Sequence, residues 1–314
     1  MSEKYSFVIP VYNEEKNIPL IYDKIIDMMK PVGNNLEMIF INDGSRDTSL
    51  QVLKEFAAKD KRVKYLSFSR NFGHQAALTA GLHHATGDAV ISLDCDLQDP
   101  PEVIIQMIEK WKEGYDIVYA RRAKRHDSFF KKYTALLYYK ILGKFSEVNI
   151  PRNVGDFRLM DKKTLVVFNS MNERARYLRG MVAWMGYKFT FVDYDRPERI
   201  HGTTGYSLSK MIKLSMDGMI NFSSLPLKLG FLLGGISIIS GLAFLGYMLY
   251  DIFANHAEYP LYKFLVVILF MFMGFLFILV WLLGEYIGRI YDEIRNRPMY
   301  IVDFKVNFDE NTHA

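Results

Sequence analysis

Ala89-Val90-Ile91-Ser92-Leu93-Asp94-Cys95-Asp96-Leu97-Gln98-Asp99-Pro100-Pro101 runs from a short, largely apolar stretch into carboxylates and then into two prolines. An apolar run without alternation, bounded by turn residues, reads as a strand buried on both faces, as in a parallel sheet. Pro101 suits the first turn of a following helix, where a missing N–H leaves no bond unmade. The intervening loop carries Asp94 and Asp96 as a D-x-D pair. Two carboxylates at that spacing can share a hard divalent cation, Mg²⁺ or Mn²⁺, which would neutralise a diphosphate. A bare D-x-D is a common accident. Its place directly after a buried strand, with Gln98 and Asp99 following, gives it weight.

The same rhythm extends outward. Strands are predicted over 5–10, 36–42, 63–67, 89–93 and 116–120, with helices over 14–29, 48–59, 74–85 and 101–113. Alternation of this kind implies an α/β fold with a mostly parallel sheet and right-handed crossovers. Ligands of such sheets bind beyond the carboxyl ends of the strands. Polar clusters fall at those ends: Tyr12-Asn13-Glu14, Asp43-Gly44-Ser45, Arg70-Asn71 and Asp94-Cys95-Asp96. Any one of them reads equally well as ordinary turn chemistry, Asp-Gly-Ser above all. Four successive strands delivering polar residues to one edge do not. Asp43 is placed to accept hydrogen bonds from a ribose or a base. Neither G-x-x-x-x-G-K-[ST] nor G-x-G-x-x-G occurs, so nucleotide binding would run through carboxylates and metal rather than a phosphate loop.

Composition sets the outer limits. The chain has 314 residues, half of them hydrophobic and 15% aromatic, which excludes a disordered chain. A net charge of +4, without a long basic run, gives no nucleic-acid partner. The single cysteine, Cys95, rules out an intramolecular disulfide and fits a reducing compartment. The N-terminal stretch MSEKYSFVIPVYNEE lacks the apolar segment of a signal peptide, so a cytoplasmic catalytic part is expected.

Two runs, 229–250 and 264–284, contain no charge, and each is long enough to cross a bilayer as a helix. Lys210, Lys213 and Lys228 precede them and Arg289, Arg295 and Arg297 follow, whereas the connecting 251–263 carries Asp251, Glu258 and only Lys263. The positive-inside bias puts both outer flanks in the cytoplasm of a multi-pass cell-membrane protein. The expected organisation is a cytoplasmic domain over 1–206, an interfacial helix over 207–225, a transmembrane hairpin over 226–288 and a cytoplasmic tail over 289–314. Within the first domain, 128–145 is basic and aromatic. It reads either as an amphipathic helix on the membrane surface or as a helix packed on the core with solvated lysines. The tail alternates over 299–308 and is expected to form a strand, with another chain as one partner for it. Glycines at 230, 234, 235 and 241 permit close helix packing, and the apolar helix faces are open to homo-oligomer formation.

These residues carry a resemblance. Ile9-Pro10-Val11-Tyr12-Asn13-Glu14-Glu15, Asn42-Asp43-Gly44-Ser45, Arg70-Asn71-Phe72-Gly73, Asp94 to Pro100 and Gly155-Asp156-Phe157-Arg158-Leu159-Met160 resemble the signatures of family 2 inverting glycosyltransferases. With the two apolar runs, they are similar to the polyprenyl-phosphate glycosyltransferases, bacterial undecaprenyl-phosphate (bactoprenol) glucosyltransferases and dolichol-phosphate mannose synthases among them. The resemblance covers nearly the whole chain in matching order. It implies a GT-A domain in which Pro10, Tyr12, Glu14, Asp43 and Asp94 hold the nucleotide-sugar. Asp94, Asp96 and Gln98 would surround a Mg²⁺ or Mn²⁺ ion, and Arg121 and Arg199 would meet the acceptor phosphate. Asp156 stands at the catalytic carboxylate position, and 179–184 would line the acceptor side. Members carry Gly-x-Ser-Lys-Tyr after the arginine that matches Arg199. This chain reads Gly202-Thr203-Thr204-Gly205-Tyr206, which leaves Lys210, or Arg199 alone, as the cation there.

The implied reaction is inverting transfer of a hexose, glucose from UDP-glucose, to undecaprenyl or another polyprenyl phosphate at the cytoplasmic membrane face. Two other readings are a processive polysaccharide synthase and a membrane-anchored nucleotide-sugar-binding protein without turnover. The first lacks its Gln-x-x-Arg-Trp motif and further membrane helices, and the intact carboxylates oppose the second. Deleting everything after Ser224 is expected to spare nucleotide affinity and abolish transfer to a long-chain lipid.

Overall fold

The computed structural model describes residues 3–123, 151–195 except 152, 172, 174 and 175, and 261–308, with a few isolated positions between 196 and 260. The segment 128–145, Arg199, the 202–206 stretch, Lys210, the expected interfacial helix over 207–225 and nearly all of 229–250 lie outside the described residues.

The elements, in chain order, are β1 (Tyr5–Val11), α1 (Asn17–Met29), β2 (Leu36–Asn42), α2 (Ser49–Lys59), β3 (Val63–Phe68), α3 (His74–His84), β4 (Ala89–Ser92), α4 (Val103–Lys112), β5 (Ile117–Arg122), β6 (Val154–Asp161), α5 (Lys162–Ser170), α6 (Leu178–Trp184), β7 (Phe189–Tyr194), α7 (Leu261–Ile294) and β8 (Val302–Val306). They build one eight-stranded sheet in the order β7-β5-β6-β4-β1-β2-β3-β8. The pairs β1–β2, β1–β4, β2–β3 and β5–β7 are parallel, and β6 and β8 run antiparallel to their neighbours.

Every residue of β1 and β2 is buried, as strands covered on both faces require. Alternate side chains serve opposite layers. Phe7, Ile9 and Val11 meet Ile18, Ile21 and Ile25 of α1, Leu53 of α2 and Met107 of α4. Val8 and Ile41 face α3, with Leu165 of α5 and Met181 of α6 in the same layer. Pro10 lies past the last β1–β4 pair, Val8↔Ser92, so its missing N–H leaves no gap in that ladder.

Helix α3 is built from small residues and lies close on the sheet. A Cβ at Gly81 would fall 2.3 Å from Val8 Cγ1 and 2.6 Å from Ile41 Cδ1. This close seating carries the N-terminal end of α3, His74 and Gln75, to the carboxyl edge of the strands.

Two strands depart from the sequence expectations. β6 inserts antiparallel between β4 and β5, where the apolar rhythm gave no strand. Its charges, Asp156 and Arg158, break the apolar run that marks a buried strand, and inside the sheet they neutralise each other. The tail strand is present as β8, but it pairs with β3 of the same chain, Tyr65↔Val306 and Leu66↔Lys305 among the pairs. This replaces the expectation of pairing with another chain. β3 otherwise offers an open edge, and β8 covers it.

Among the described residues no helix is long and apolar enough to cross a membrane. The hairpin stays an expectation, because the first apolar run and many side chains of the second fall outside those residues. α7 itself is a continuous 34-residue helix.

At the opposite end of the sheet from the polar clusters, Glu37 of β2 is buried. It pairs with Lys64 at 2.8 Å and Lys4 at 3.1 Å, and accepts from Ser6 Oγ at 2.6 Å and Thr86 N–H at 2.8 Å. Burial pushes its pKa up, but the bonds from Lys64, Ser6 and Thr86 prevail and bring it down to about 2. A depressed folded pKa contributes stability above the unfolded value of about 4.3, and that contribution is lost as pH falls toward 2. Glu37→Gln is therefore expected to cost about 3 kcal/mol near neutrality. The thermal midpoints of variant and wild type should converge between pH 4 and about 2. A gap independent of pH would contradict the assignment.

Candidate active site

The loops after β1 and β2 are stitched together. Asn13, in the left-handed region at φ 58°, accepts the Arg46 N–H at 2.8 Å, and its own N–H donates to Ser45 Oγ at 3.0 Å. The Glu14 N–H donates to Ser49 Oγ at 2.9 Å, and its carboxylate accepts from Asn17 at the start of α1. Pro10 is buried beneath this junction, and the Tyr12 ring is exposed above it.

Asp43 is buried at the end of β2. One carboxylate oxygen accepts the Phe72 N–H at 2.6 Å and the other the Gly73 N–H at 2.9 Å. Asn71 Nδ2 donates to the Asp43 carbonyl at 3.1 Å. Gly44, at φ +65°, lets the two loops touch, since a Cβ there would lie 2.6 Å from Arg70 C and Asn71 N. Burial outweighs the two N–H bonds and holds the Asp43 carboxyl above its ordinary pKa.

The D-x-D loop turns at Leu97, φ 59°. Asp96 is buried and its Oδ1 accepts the Gln98 N–H at 3.1 Å. Asp99 braces the loop from below: Oδ2 accepts the Asp94 N–H at 3.3 Å and Oδ1 the Tyr194 hydroxyl at 3.0 Å. Asp94, Asp96 and the Gln98 amide are all hard oxygen donors. Among the described residues no group of three or more His, Cys, Asp and Glu side chains could hold a metal. Mg²⁺-type sites commonly rest on one or two carboxylates completed by substrate phosphates, so this donor set fits such an ion. Cys95 adds no thiolate, because burial raises its pKa well above the ordinary value.

Asp156 is the centre of the site. On β6, Asp156 and Arg158 share one face at i, i+2. Arg158 Nη2 lies 2.7 Å from Asp156 Oδ1, and Arg179 Nη2, on α6, lies 3.2 Å from Oδ2. Gln75 Nε2 donates to Oδ2 at 3.3 Å while its Oε1 accepts the Leu178 N–H at 3.2 Å, which ties α3, β6 and α6 together. Ser92 Oγ of β4 holds the Asp156 carbonyl. Burial alone would push the Asp156 pKa up. The charges of Arg179, Arg158 and His74 overcome it and hold the carboxyl well below the usual range.

His74 joins the two halves of the site. Its Nε2 lies 3.5 Å from Asp94 Oδ1 and 3.8 Å from Asp156 Oδ2. The first carboxylate of the D-x-D loop and the buried carboxylate of β6 thus converge at the N-terminal end of α3, where the helix dipole favours negative charge. Removing Arg158, which is 2% exposed, would leave Asp156 buried and undercompensated. Arg158→Ala is expected to cost about 3–5 kcal/mol, read as a lowered thermal midpoint, and an unchanged midpoint would contradict it.

Arg121 stands apart. At the end of β5 its guanidinium makes a bidentate pair with Asp193 of β7, at 2.6 and 2.8 Å, and covers the Phe191 ring at 4.6 Å. Among the described residues no bond joins Arg121 to Asp156. The structure therefore brings Asp94 and Asp156 together, places Pro10, Tyr12, Glu14 and Asp43 on the same edge, and engages Arg121 elsewhere. The roles of His74, Gln75 and Arg158 were absent from the sequence reading. The i, i+2 charge pair inside an otherwise apolar 154–160 was the available signal for Arg158.

Residues 6–167 match the family described as Glycosyl transferase family 2. The chain belongs to that family. It is 46% identical over 95% of its length to 93% of Uncharacterized glycosyltransferase YkcC from Bacillus subtilis. It is 42% identical over 95% of its length to 98% of the Prophage bactoprenol glucosyl transferase homolog of Escherichia coli. The crystal structure of mannosyl-3-phosphoglycerate synthase from Rubrobacter xylanophilus shares the fold at a TM-score of 0.50 and 17% identity, covering 68% of this chain and 71% of that one. The chain is a glycosyltransferase with a GT-A-like α/β fold.

Proposed function

We propose that this glycosyltransferase moves a hexose, glucose from UDP-glucose, with inversion onto undecaprenyl or another polyprenyl phosphate at the cytoplasmic membrane face. The observation that carries the reading is the convergence of Asp94 and Asp156 on His74, which supports a diphosphate site beside a buried carboxylate. The name of the Escherichia coli relative, a bactoprenol glucosyl transferase homolog, supports this choice of sugar and acceptor class.

In this reading Pro10, Tyr12, Glu14 and Asp43 hold the nucleoside, and Asp94, Asp96 and Gln98 hold a Mg²⁺ or Mn²⁺ ion. When bound, that ion supplies stabilisation of the charge developing on the departing diphosphate. The acceptor needs no proton removed, because a phosphate monoester has a second pKa of about 6 and is largely dianionic at neutral pH. Asp156, held well below the usual carboxylate range, is poorly suited to take a proton. Its fixed negative charge would instead stabilise positive charge at the anomeric carbon as the diphosphate leaves. Arg121 and Arg199 would meet the acceptor phosphate, Arg121 by exchanging Asp193 for it.

Membrane attachment is part of the proposal. Exposed Leu269, Phe272, Leu276, Val280, Leu283 and Ile287 along α7 support it. A panel of UDP- and GDP-sugars tests the donor: UDP-glucose should give the highest kcat/KM and a β-linked product from the α-linked donor. Preference for GDP-mannose, or an α-linked product, would contradict the assignment.

A further inference from the structure

We infer that Tyr300, at the entry to the C-terminal strand β8, is a positioning residue for the donor nucleoside, acting through the loop that holds Asp43. The Tyr300 ring stacks on Phe68 at the end of β3, with centroids 5.0 Å apart and planes 14° from parallel. Phe68 in turn meets Phe72 edge-on at 5.7 Å. The Phe72 backbone N–H donates to Asp43 at 2.6 Å. Three rings thus connect the tail to one of the two N–H groups that fix the buried carboxylate.

Further contacts hold this connection. The Tyr300 hydroxyl lies 3.1 Å from His83 Nδ1, in the last turn of α3. The Ser69 N–H donates to the Ile301 carbonyl at 3.1 Å, so the tail also fixes the backbone one residue before Arg70. The β3–β8 ladder shifts register between Ser67 and Phe68. Regular pairing therefore weakens at the point where the chain leaves β3 for the Asp43 loop, and the ring stack and the Ser69 bond take over there. Past Gly73 the same loop enters α3, whose Gly81 seats it tightly on the sheet. Residues 69–73 are thus held at one end by α3 and at the other by the tail. Tyr300 touches neither Asp43 nor any residue of the D-x-D loop in these contacts, so its influence falls on donor affinity rather than on the transfer step.

The inference rests on the reading that Asp43 holds the nucleoside, and the experiment separates the two. UDP binding to the full-length protein is measured by calorimetry for wild type, Tyr300→Ala, Tyr300→Phe, Phe72→Leu and Asp43→Asn. Amide hydrogen exchange is followed over 69–73, and KM and kcat are measured for UDP-glucose. Tyr300→Ala is expected to weaken UDP binding and raise KM by about tenfold, the scale of one lost aromatic pair. It should leave kcat within about twofold and speed exchange at Phe72 and Gly73, while Tyr300→Phe, which keeps the stacked ring, stays near wild type. If Tyr300→Ala does not fold, Phe72→Leu cuts the same connection from its other end and should show the same split. UDP affinity lost in Asp43→Asn but unmoved in Tyr300→Ala and Phe72→Leu overturns the inference alone. Affinity unmoved in all of them overturns the nucleoside reading and the inference with it. A fall in kcat with KM unchanged also overturns the inference.

Discussion

Asp156→Asn is expected to lower kcat by about 10²–10³-fold while UDP affinity changes by less than about twofold, the pattern of an electrostatic group acting in the transition state. The substitution keeps shape and one acceptor oxygen but removes the charge that faces Arg158, Arg179 and His74. Two arginines then stand uncompensated where the proposal puts the anomeric carbon, and the field there reverses sign. The pH dependence distinguishes this role from proton removal. A carboxyl held well below the usual range stays ionised throughout the accessible pH window, so the wild-type profile should carry no Asp156 limb above pH 5. A loss in Asp156→Asn that eased as pH rose would restore the role of general base.

The second large effect concerns the D-x-D loop. Asp96→Ala is expected to abolish transfer, and a chelator should silence the wild type until Mg²⁺ or Mn²⁺ is returned. Asp96 is buried and shapes its own loop through the Gln98 N–H, so its loss removes a proposed ligand and unsettles the turn at Leu97. Asp99→Asn provides the control. It weakens the brace from Tyr194 and the Asp94 N–H without removing a proposed ligand, so it should raise the metal requirement rather than end activity. Full activity in EDTA would contradict the metal assignment.

The sheet from β1 to β5 was readable because its strands are short apolar runs closed by turns, with helical patterns between them. Val8, Ile39 and Ile91 lie in those runs and are fully buried. β6 escaped because its two charges compensate each other across 2.7 Å, a fact of tertiary pairing that no local pattern contains. The D-x-D loop was legible as chemistry, whereas Asp99 and Tyr194, which shape it, meet across 95 residues of sequence. The same holds for Gln75, which reaches Asp156 across 81 residues and Leu178 across 103. Arg121 was assigned to the acceptor phosphate only through the resemblance, and its partner Asp193 became visible once β7 was seen to run beside β5.

The tail changes one expectation directly. Deletion after Ser224 removes β8 together with α7, so it exposes the edge of β3 and withdraws Tyr300 from Phe68. Nucleotide affinity is therefore expected to fall in that truncation rather than to survive it.

The most direct measurement is transfer of radiolabelled glucose from UDP-glucose by the full-length protein with undecaprenyl phosphate and Mg²⁺ or Mn²⁺. The proposed function predicts label in the organic-extractable lipid, dependent on the polyprenyl phosphate and absent in Asp156→Asn. Label in a water-soluble polymer, or none in lipid while UDP-glucose is bound, would contradict it.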